Sequence, residues 1–302
     1  MLSGFKKLRY GVEEALVRSC ASLLGTLSPQ SWDYISRKAG DAGFRLLKKR
    51  REIAIQNIER AFGSHLVPSE KNDLAQKAFQ HAVLSVLELY GIEKILPHEK
   101  ERFQISGLEN FQAGFSGGKG LIVAAAHLGS WEYLSFICRL SGHPGAVVVK
   151  PIRNPHINAT VQKLRAKPGL LPIEKNKAAT KTVLRELAQN HAVAILIDQW
   201  AGPEGLWTKF FGEATSTTSM PARLSAITGA PIVFAYCLRK EPGFYEIKIS
   251  EPITALKKDS TGEREITERL NLLLEAEIRA HPAQWLWGHS RWKPKPSTLR
   301  EI

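Results

Sequence analysis

Downstream of Gly107 the chain alternates short apolar runs with longer stretches of helical character, and that alternation limits the fold more than any other feature. The apolar runs at residues 121–126, 146–149, 193–197, 232–238 and 245–249 have strand length and are bounded by turn residues. Helices are expected near residues 131–140, 156–166, 178–189 and 219–228, with a longer one at 262–280. Strands separated by helices of this length imply a largely parallel sheet covered on its faces, because parallel neighbours need a long crossover. The first hundred residues read as helical, with breaks at Pro29 and Pro97 and an apolar stripe over residues 79–90. The expected fold is therefore α/β: a largely parallel central sheet flanked by helices, with a helical N-terminal lobe. Residues 1–100 form the lobe and 101–302 the core, as one continuous domain without internal repeats.

The first strand of the core runs into LIVAAAHLGSWE, residues 121–132. The run is preceded by the turn-rich SGGKG and ends in His127, with Glu132 five residues on. On one unbroken helix two such residues stand about 140° apart, at roughly 100° per residue, so they meet only if the chain bends. Gly129 and Ser130 supply a bend and a helix N-cap. A strand-tip imidazole reached by a carboxylate is a base with an orienting acid, suited to removing a proton from an alcohol. His-x4-Glu also arises by chance; its position after a buried run, where open α/β sheets place their chemistry, favours the functional reading.

Lysine plus arginine exceed aspartate plus glutamate by 42 − 29 = 13, a field that favours anionic partners without choosing among nucleic acid, lipid headgroups and acidic proteins. Cys20, Cys138 and Cys237 are widely spaced, which argues against a disulfide framework. No run of 18 apolar residues exists to span a bilayer, and Glu13, Glu14 and Arg18 interrupt any secretory segment. Two readings stand for the N-terminus. Leu8, Val12, Ala15, Leu16, Ser19, Leu23 and Leu27, with Lys6, Lys7 and Arg9, make a basic amphipathic helix that either lies in a bilayer interface or packs on its own domain. The basic run RLLKKRR, residues 45–51, is likewise either a solvated face or a contact for anionic lipid. SGGKG lacks the remaining residues of a phosphate loop, and there is no His-Glu-x-x-His or tight cluster of metal ligands. No metal and no nucleotide are expected.

Six blocks in order resemble the late acyltransferases of lipid A biosynthesis, within the wider lysophospholipid-type acyltransferases. They are KKRREIAIQNIERAFG from Lys48, GKGLIVAAAHLGSWE from Gly118, KPIRNP from Lys150, ILIDQ from Ile195, KFFGEATSTTSMPARLSAITGAPIV from Lys209 and HPAQWLWGHSRWK from His281. The resemblance implies transfer of a fatty acyl group from an acyl-carrier-protein thioester to a hydroxyl of a lipid A precursor, with no cofactor beyond the donor. It puts His127 and Glu132 at the catalytic positions, Glu132 fixing the tautomer of the base. Backbone amides near Gly129 or the side chain of Arg165 would meet the oxyanion, and Asp198 falls in the family's Asp-Gln block. Arg153, Arg291 and Lys293 are candidates for binding acceptor phosphate or carrier protein, and Thr215, Thr217 and Thr218 for headgroup atoms or for capping a helix. The expected partners are acyl carrier protein, a lipid A precursor and an anionic membrane surface, with no nucleic acid. The expected location is the cytoplasmic face of the inner membrane, by peripheral or monotopic attachment. Three departures from the family pattern are the interrupted N-terminal anchor, Ser130 where Asn is commoner, and Lys150 where Arg is commoner. Acylation of another glycolipid or lysophospholipid from acyl-CoA, and non-catalytic binding of anionic lipid, are the alternatives.

Overall fold

A computed structural model describes residues 4–254 and 259–294, apart from the side chains of residues 4–8, 16, 18, 20 and 21. Lys6, Lys7, Leu8 and Leu16, read above as part of an amphipathic face, and Arg18 therefore have side chains outside the described set. Helices α1 (Gly4–Thr26), α2 (Pro29–Leu46), α3 (Lys48–Phe62), α4 (Pro68–Tyr90), α5 (Ile92–Ile95) and α6 (Glu99–Arg102) precede the first strand. The sheet region opens with β1 (Phe103–Ser106), α7 (Leu108–Ala113), β2 (Leu121–Ala125), α8 (Phe136–Ser141), β3 (Gly145–Val149), α9 (Pro155–Ala166) and β4 (Leu170–Glu174). It continues with α10 (Ala179–Ala188), β5 (Ala192–Leu196), β6 (Leu206–Phe210), β7 (Glu213–Thr217), α11 (Met220–Thr228), β8 (Ile232–Glu241), β9 (Phe244–Ile249) and α12 (Ser260–Ala280).

Seven strands form one sheet in the order β1-β9-β8-β2-β5-β3-β4. Only the β8–β9 hairpin is antiparallel within it, so the expected largely parallel sheet is what forms. Strand β2 is central and buried along its whole length. Its alternate side chains divide the core: Ile122 and Ala124 face the cluster that holds α3, α10, α11 and α12. Leu121, Val123 and Ala125 face the cluster of Trp32, Leu84, Phe103, Phe111 and Phe136. A continuous apolar run is what a strand with both faces covered requires.

The sequence reading missed β1, β4 and the β6–β7 hairpin. β4 is an edge strand that carries Pro172, a residue that ordinarily argues against a strand. The hairpin turns at Phe211 and Gly212, both at positive φ, as a two-residue turn of the primed type requires. The helix expected over residues 131–140 begins instead as a 3-10 turn, Trp131–Ser135, before α8. Ser130 does not cap it, because its hydroxyl donates to the buried Glu88 carboxylate at 2.7 Å.

That carboxylate joins the helical lobe to the sheet. Arg239 of β8 donates to Glu88 of α4 through Nε at 2.8 Å and Nη2 at 2.7 Å, and both side chains are almost fully enclosed. Burial works against the charge of Arg239, but Glu88 beside it raises its pKa. Tyr133 adds a hydrogen bond to the Glu88 carbonyl at 2.6 Å. At the other end of the lobe α1 packs on the start of α9: Asn154, the N-cap of α9, donates to the Tyr10 carbonyl at 3.2 Å and to Glu13 at 2.8 Å. Val12 and Leu23 remain exposed, and among the described residues no helix is long and apolar enough to cross a membrane.

Removing one member of a buried ion pair strands the other, at a cost of about 3–5 kcal/mol. Glu88→Ala is expected to lower the unfolding free energy by about that much, read from the shift in the urea midpoint. A loss within about 0.5 kcal/mol, the range of an ordinary surface change, would mean that the pair does not join lobe and sheet.

Candidate active site

The parallel register of β2 and β5 builds the site. Ala125 stands opposite Leu196, and the Ile197 amide donates to the Ala125 carbonyl at 2.9 Å. Two residues further along each chain, past the carboxyl ends of both strands, lie His127 and Asp198. The backbone N–H of His127 donates to Asp198 Oδ2 at 3.0 Å, and His127 Nδ1 lies 2.9 Å from Oδ1. Trp285 Nε1 donates a third hydrogen bond to Oδ2, at 3.0 Å. Burial alone would raise the Asp198 pKa, but the charge and hydrogen bonds of His127 and the indole bond outweigh it and hold the value at about 2. An ionised carboxylate only accepts, so Nδ1 carries a proton, and in the neutral form of the ring Nε2 presents its lone pair. Gln199 reaches within 3.4 Å of Nε2 through its side-chain nitrogen, and the Trp131 ring lies edge-on to the imidazole at 5.2 Å.

This corrects the expectation that Glu132 orients the base. The bend at Gly129 is present, at φ +64°, but it carries the Glu132 carboxylate to Arg165 of α9. Arg165 donates through Nε to Oε2 at 2.8 Å and through Nη2 to Oε1 at 2.6 Å. Burial works to lower the Arg165 pKa, and the carboxylate more than offsets it. The side chain of Arg165 is 19% exposed and that of Glu132 12%, so the pair lies at the edge of solvent.

The backbone amides named as oxyanion donors are also committed elsewhere. The Gly129 N–H donates to the Gln284 carbonyl at 2.9 Å and the Ser130 N–H to the Cys237 carbonyl at 2.7 Å. A Cβ on Gly129 would come within 2.0 Å of that same Cys237 oxygen, so the residue must be glycine for closeness as well as for φ. The segment after α12 completes the clamp: the Leu286 amide donates to the His127 carbonyl at 3.1 Å.

Arg291 is not a surface cation. It is fully buried, donating to the carbonyls of Gln199 at 3.2 Å and Ser216 at 2.6 Å and to Thr217 Oγ1 at 2.7 Å. Burial lowers its pKa to about 10, against the attraction of Asp198. It braces the loop that carries Asp198 and Gln199 and has no open side for an acceptor phosphate. Thr215 and Thr217 are buried in the same brace, and Thr218 Oγ1 accepts from the Met220 amide at 3.4 Å, at the start of α11. Lys293 is exposed, its Nζ 4.0 Å above the Trp200 ring, and Arg153 is exposed on the loop after β3. His289 borders the site: burial lowers its pKa to about 4, with Asp198 opposing and the charges of His127, Lys293 and Arg291 adding to the drop. Its neutral ring accepts from the Trp200 amide at 3.3 Å. Trp285 and Gln284 were not foreseen, since a tryptophan or glutamine near the end of a chain carries no local mark of its partner. Among the described residues no group of His, Cys, Asp and Glu is placed to hold a metal ion.

The open, largely parallel sheet carries a carboxylate-held histidine at its carboxyl edge, where such sheets place their chemistry. Residues 3–294 match the family of bacterial lipid A biosynthesis acyltransferases, and the chain belongs to that family and is an acyltransferase. It is similar to a lipid A biosynthesis palmitoleoyltransferase of Escherichia coli (strain K12), 25% identical over 268 residues that make up 87% of this chain and 85% of that protein. It is 24% identical to a lipid A biosynthesis lauroyltransferase of the same organism, over 85% of this chain and 83% of that protein. A phosphatidylinositol mannoside acyltransferase of Mycolicibacterium smegmatis is 23% identical over 64% of this chain and 63% of that protein.

The Asp198 carboxylate gives a pH prediction. Its folded pKa lies below the ordinary 3.8, so the stability it contributes is complete above about pH 4 and is lost as pH falls through about 2. The lowering corresponds to roughly 2–3 kcal/mol. Asp198→Asn is expected to melt below wild type at neutral pH, with the gap closing as pH approaches 2. A gap that does not change with pH would show that the charge of Asp198 does not stabilise the fold.

Proposed function

We propose that this enzyme transfers a fatty acyl group from an acyl-carrier-protein thioester to a hydroxyl of a lipid A precursor, at the cytoplasmic face of the inner membrane and without a covalent acyl-enzyme. The observation that carries the reading is the His127–Asp198 pair, which in a member of the lipid A acyltransferase family leaves Nε2 free to act as a base. The acceptor hydroxyl gives its proton to Nε2 as its oxygen attacks the thioester carbon. The negative charge that develops on the carbonyl oxygen is met by Arg165. Two of its nitrogens are committed to Glu132, and Nη1 is not part of that fork. Collapse of the tetrahedral intermediate breaks the carbon–sulfur bond. The imidazolium returns the proton to the departing thiolate, giving the ester and the free carrier thiol.

In this scheme Glu132 remains essential to catalysis, but it acts by aiming Arg165 while Asp198 serves the imidazole. Cys138 and Cys237 are buried and their thiol pKa values are pushed up by burial, which suits neither for nucleophilic work. The net positive charge of the chain, +13, favours both an acidic carrier protein and a phosphorylated acceptor. A second acceptor, a phosphatidylinositol mannoside, is favoured by the similarity to the mannoside acyltransferase.

The test is acyl transfer from carrier-protein and CoA thioesters to lipid A precursors, phosphatidylinositol mannosides and lysophospholipids, with products read by mass spectrometry. His127→Ala is expected to lower kcat by about 10²–10⁴. Glu132→Gln and Arg165→Ala are each expected to lower kcat strongly. The double variant should be little worse than either single one, because the two residues act as a unit. Full additivity of the pair would break the link between Glu132 and Arg165, and unchanged turnover in His127→Ala would end the general-base scheme.

A further inference from the structure

Exposed apolar residues are ordinary when they occur singly. Leu46 and Leu47 are adjacent, 78% and 55% exposed, and stand at the corner where α2 ends and α3 begins. Leu47 has left helical geometry, at φ −89° and ψ 61°, so the chain turns there and the corner is convex. Four cations frame the pair, Arg45, Lys48, Lys49 and Arg50, all exposed. Glu52 is the first acid that follows, and Asp41 the last that precedes. Cations in the first turn of a helix oppose its dipole, so the stability of α3 does not account for them.

The corner is also tied to the catalytic segment. Arg50 Nη1 donates to the Gly288 carbonyl at 3.2 Å. Asn57, two turns further along α3, donates to the carbonyls of Trp287 at 2.8 Å and His289 at 2.7 Å. The same segment supplies Trp285 to Asp198. The corner is thus tied, through this segment, to the carboxylate that holds His127.

We infer that the α2–α3 corner docks the enzyme on an anionic lipid bilayer, Leu46 and Leu47 entering the apolar region and Lys48, Lys49 and Arg45 meeting headgroup phosphates. Two protruding leucines within a cationic rim match the boundary between acyl chains and anionic headgroups. An acidic carrier protein would match the charge, but a rigid partner needs a complementary recess for the leucines, whereas a fluid bilayer closes around a convex corner. The inference draws on the proposed lipid acceptor for its purpose, while the docking itself is independent of turnover.

The experiment is co-flotation of the full chain with vesicles of phosphatidylcholine alone and of equal parts phosphatidylcholine and phosphatidylglycerol. Wild type is compared with Leu46→Ser/Leu47→Ser, with Lys48→Glu/Lys49→Glu, and with the controls Ile227→Ser and Leu272→Ser, which alter exposed apolar residues elsewhere. Thermal unfolding checks that each variant is folded. Both corner variants are expected to bind the phosphatidylglycerol vesicles about ten-fold or more weakly than wild type, with the controls unchanged. They should keep wild-type turnover on acceptor in detergent micelles and lose it on acceptor in vesicles. Corner variants that float like wild type overturn the inference, as do controls that lose as much binding. Variants that keep vesicle binding but lose affinity for acyl carrier protein also overturn it and give the corner to that protein. If docking falls in the variants while wild type acylates no lipid, the docking surface stands and the proposed reaction falls.

Discussion

A buried, ionised carboxylate is costly unless every oxygen is well met, and the centre of this molecule is built around meeting the needs of Asp198. Its donors come from three places: the backbone of the strand tip at His127, the ring of the same residue, and Trp285 in the segment after α12. Satisfying them requires β5 to lie beside β2 in one register and requires the chain to return across the sheet after α12. The return is then fastened by the Leu286 amide on His127 and by the Gly129 amide on Gln284. Arg291 finishes the enclosure by gripping the Gln199 carbonyl and the end of β7. The sheet order and the path of the C-terminal segment can thus be read as conditions for one charge to remain buried.

Two acids, a histidine and an arginine occupy this centre, and they pair across the sequence motif and not within it. Glu132 and Arg165 form a two-point fork, while His127 and Asp198 form the other pair. The separation has an electrostatic logic. A histidine held by both acids would share its proton with two strong acceptors, and an arginine held by neither would be free to rotate. With the nearby amides of Gly129 and Ser130 committed, a fixed guanidinium is the more available source of positive charge.

His127 was legible because a continuous apolar run ending in a polar residue is a local pattern, and the run fixes the strand that presents it. Its true partner was not, because Asp198 is 71 positions away and reaches His127 through the order of strands, which no single segment encodes. Glu132 was read as that partner because it was near in sequence. A one-dimensional pattern cannot reveal that a helix beyond the next strand supplies a better-placed cation. Arg291 was read as a candidate for acceptor phosphate or carrier protein for a related reason: arginine is ordinarily exposed, and the cage of oxygens that accepts it is assembled from β7 and the loop after β5. The large apolar strands were found and the edge strand with Pro172 was not, since burial marks a sequence more strongly than backbone pairing does.

Helix α9 has twelve residues, a length of about 18 Å at 1.5 Å per residue. Its first turn is held by α1 through Asn154, Tyr10 and Glu13, and its last turn carries Arg165. The helix is therefore a lever with the N-terminal arm at one end and the fork on Glu132 at the other. A tilt of a few degrees imposed on the arm arrives at the guanidinium as a displacement of about 1 Å over that length, a scale on which positioning alters rate. Helix α1 and the guanidinium that grips Glu132 are in this way mechanically one part.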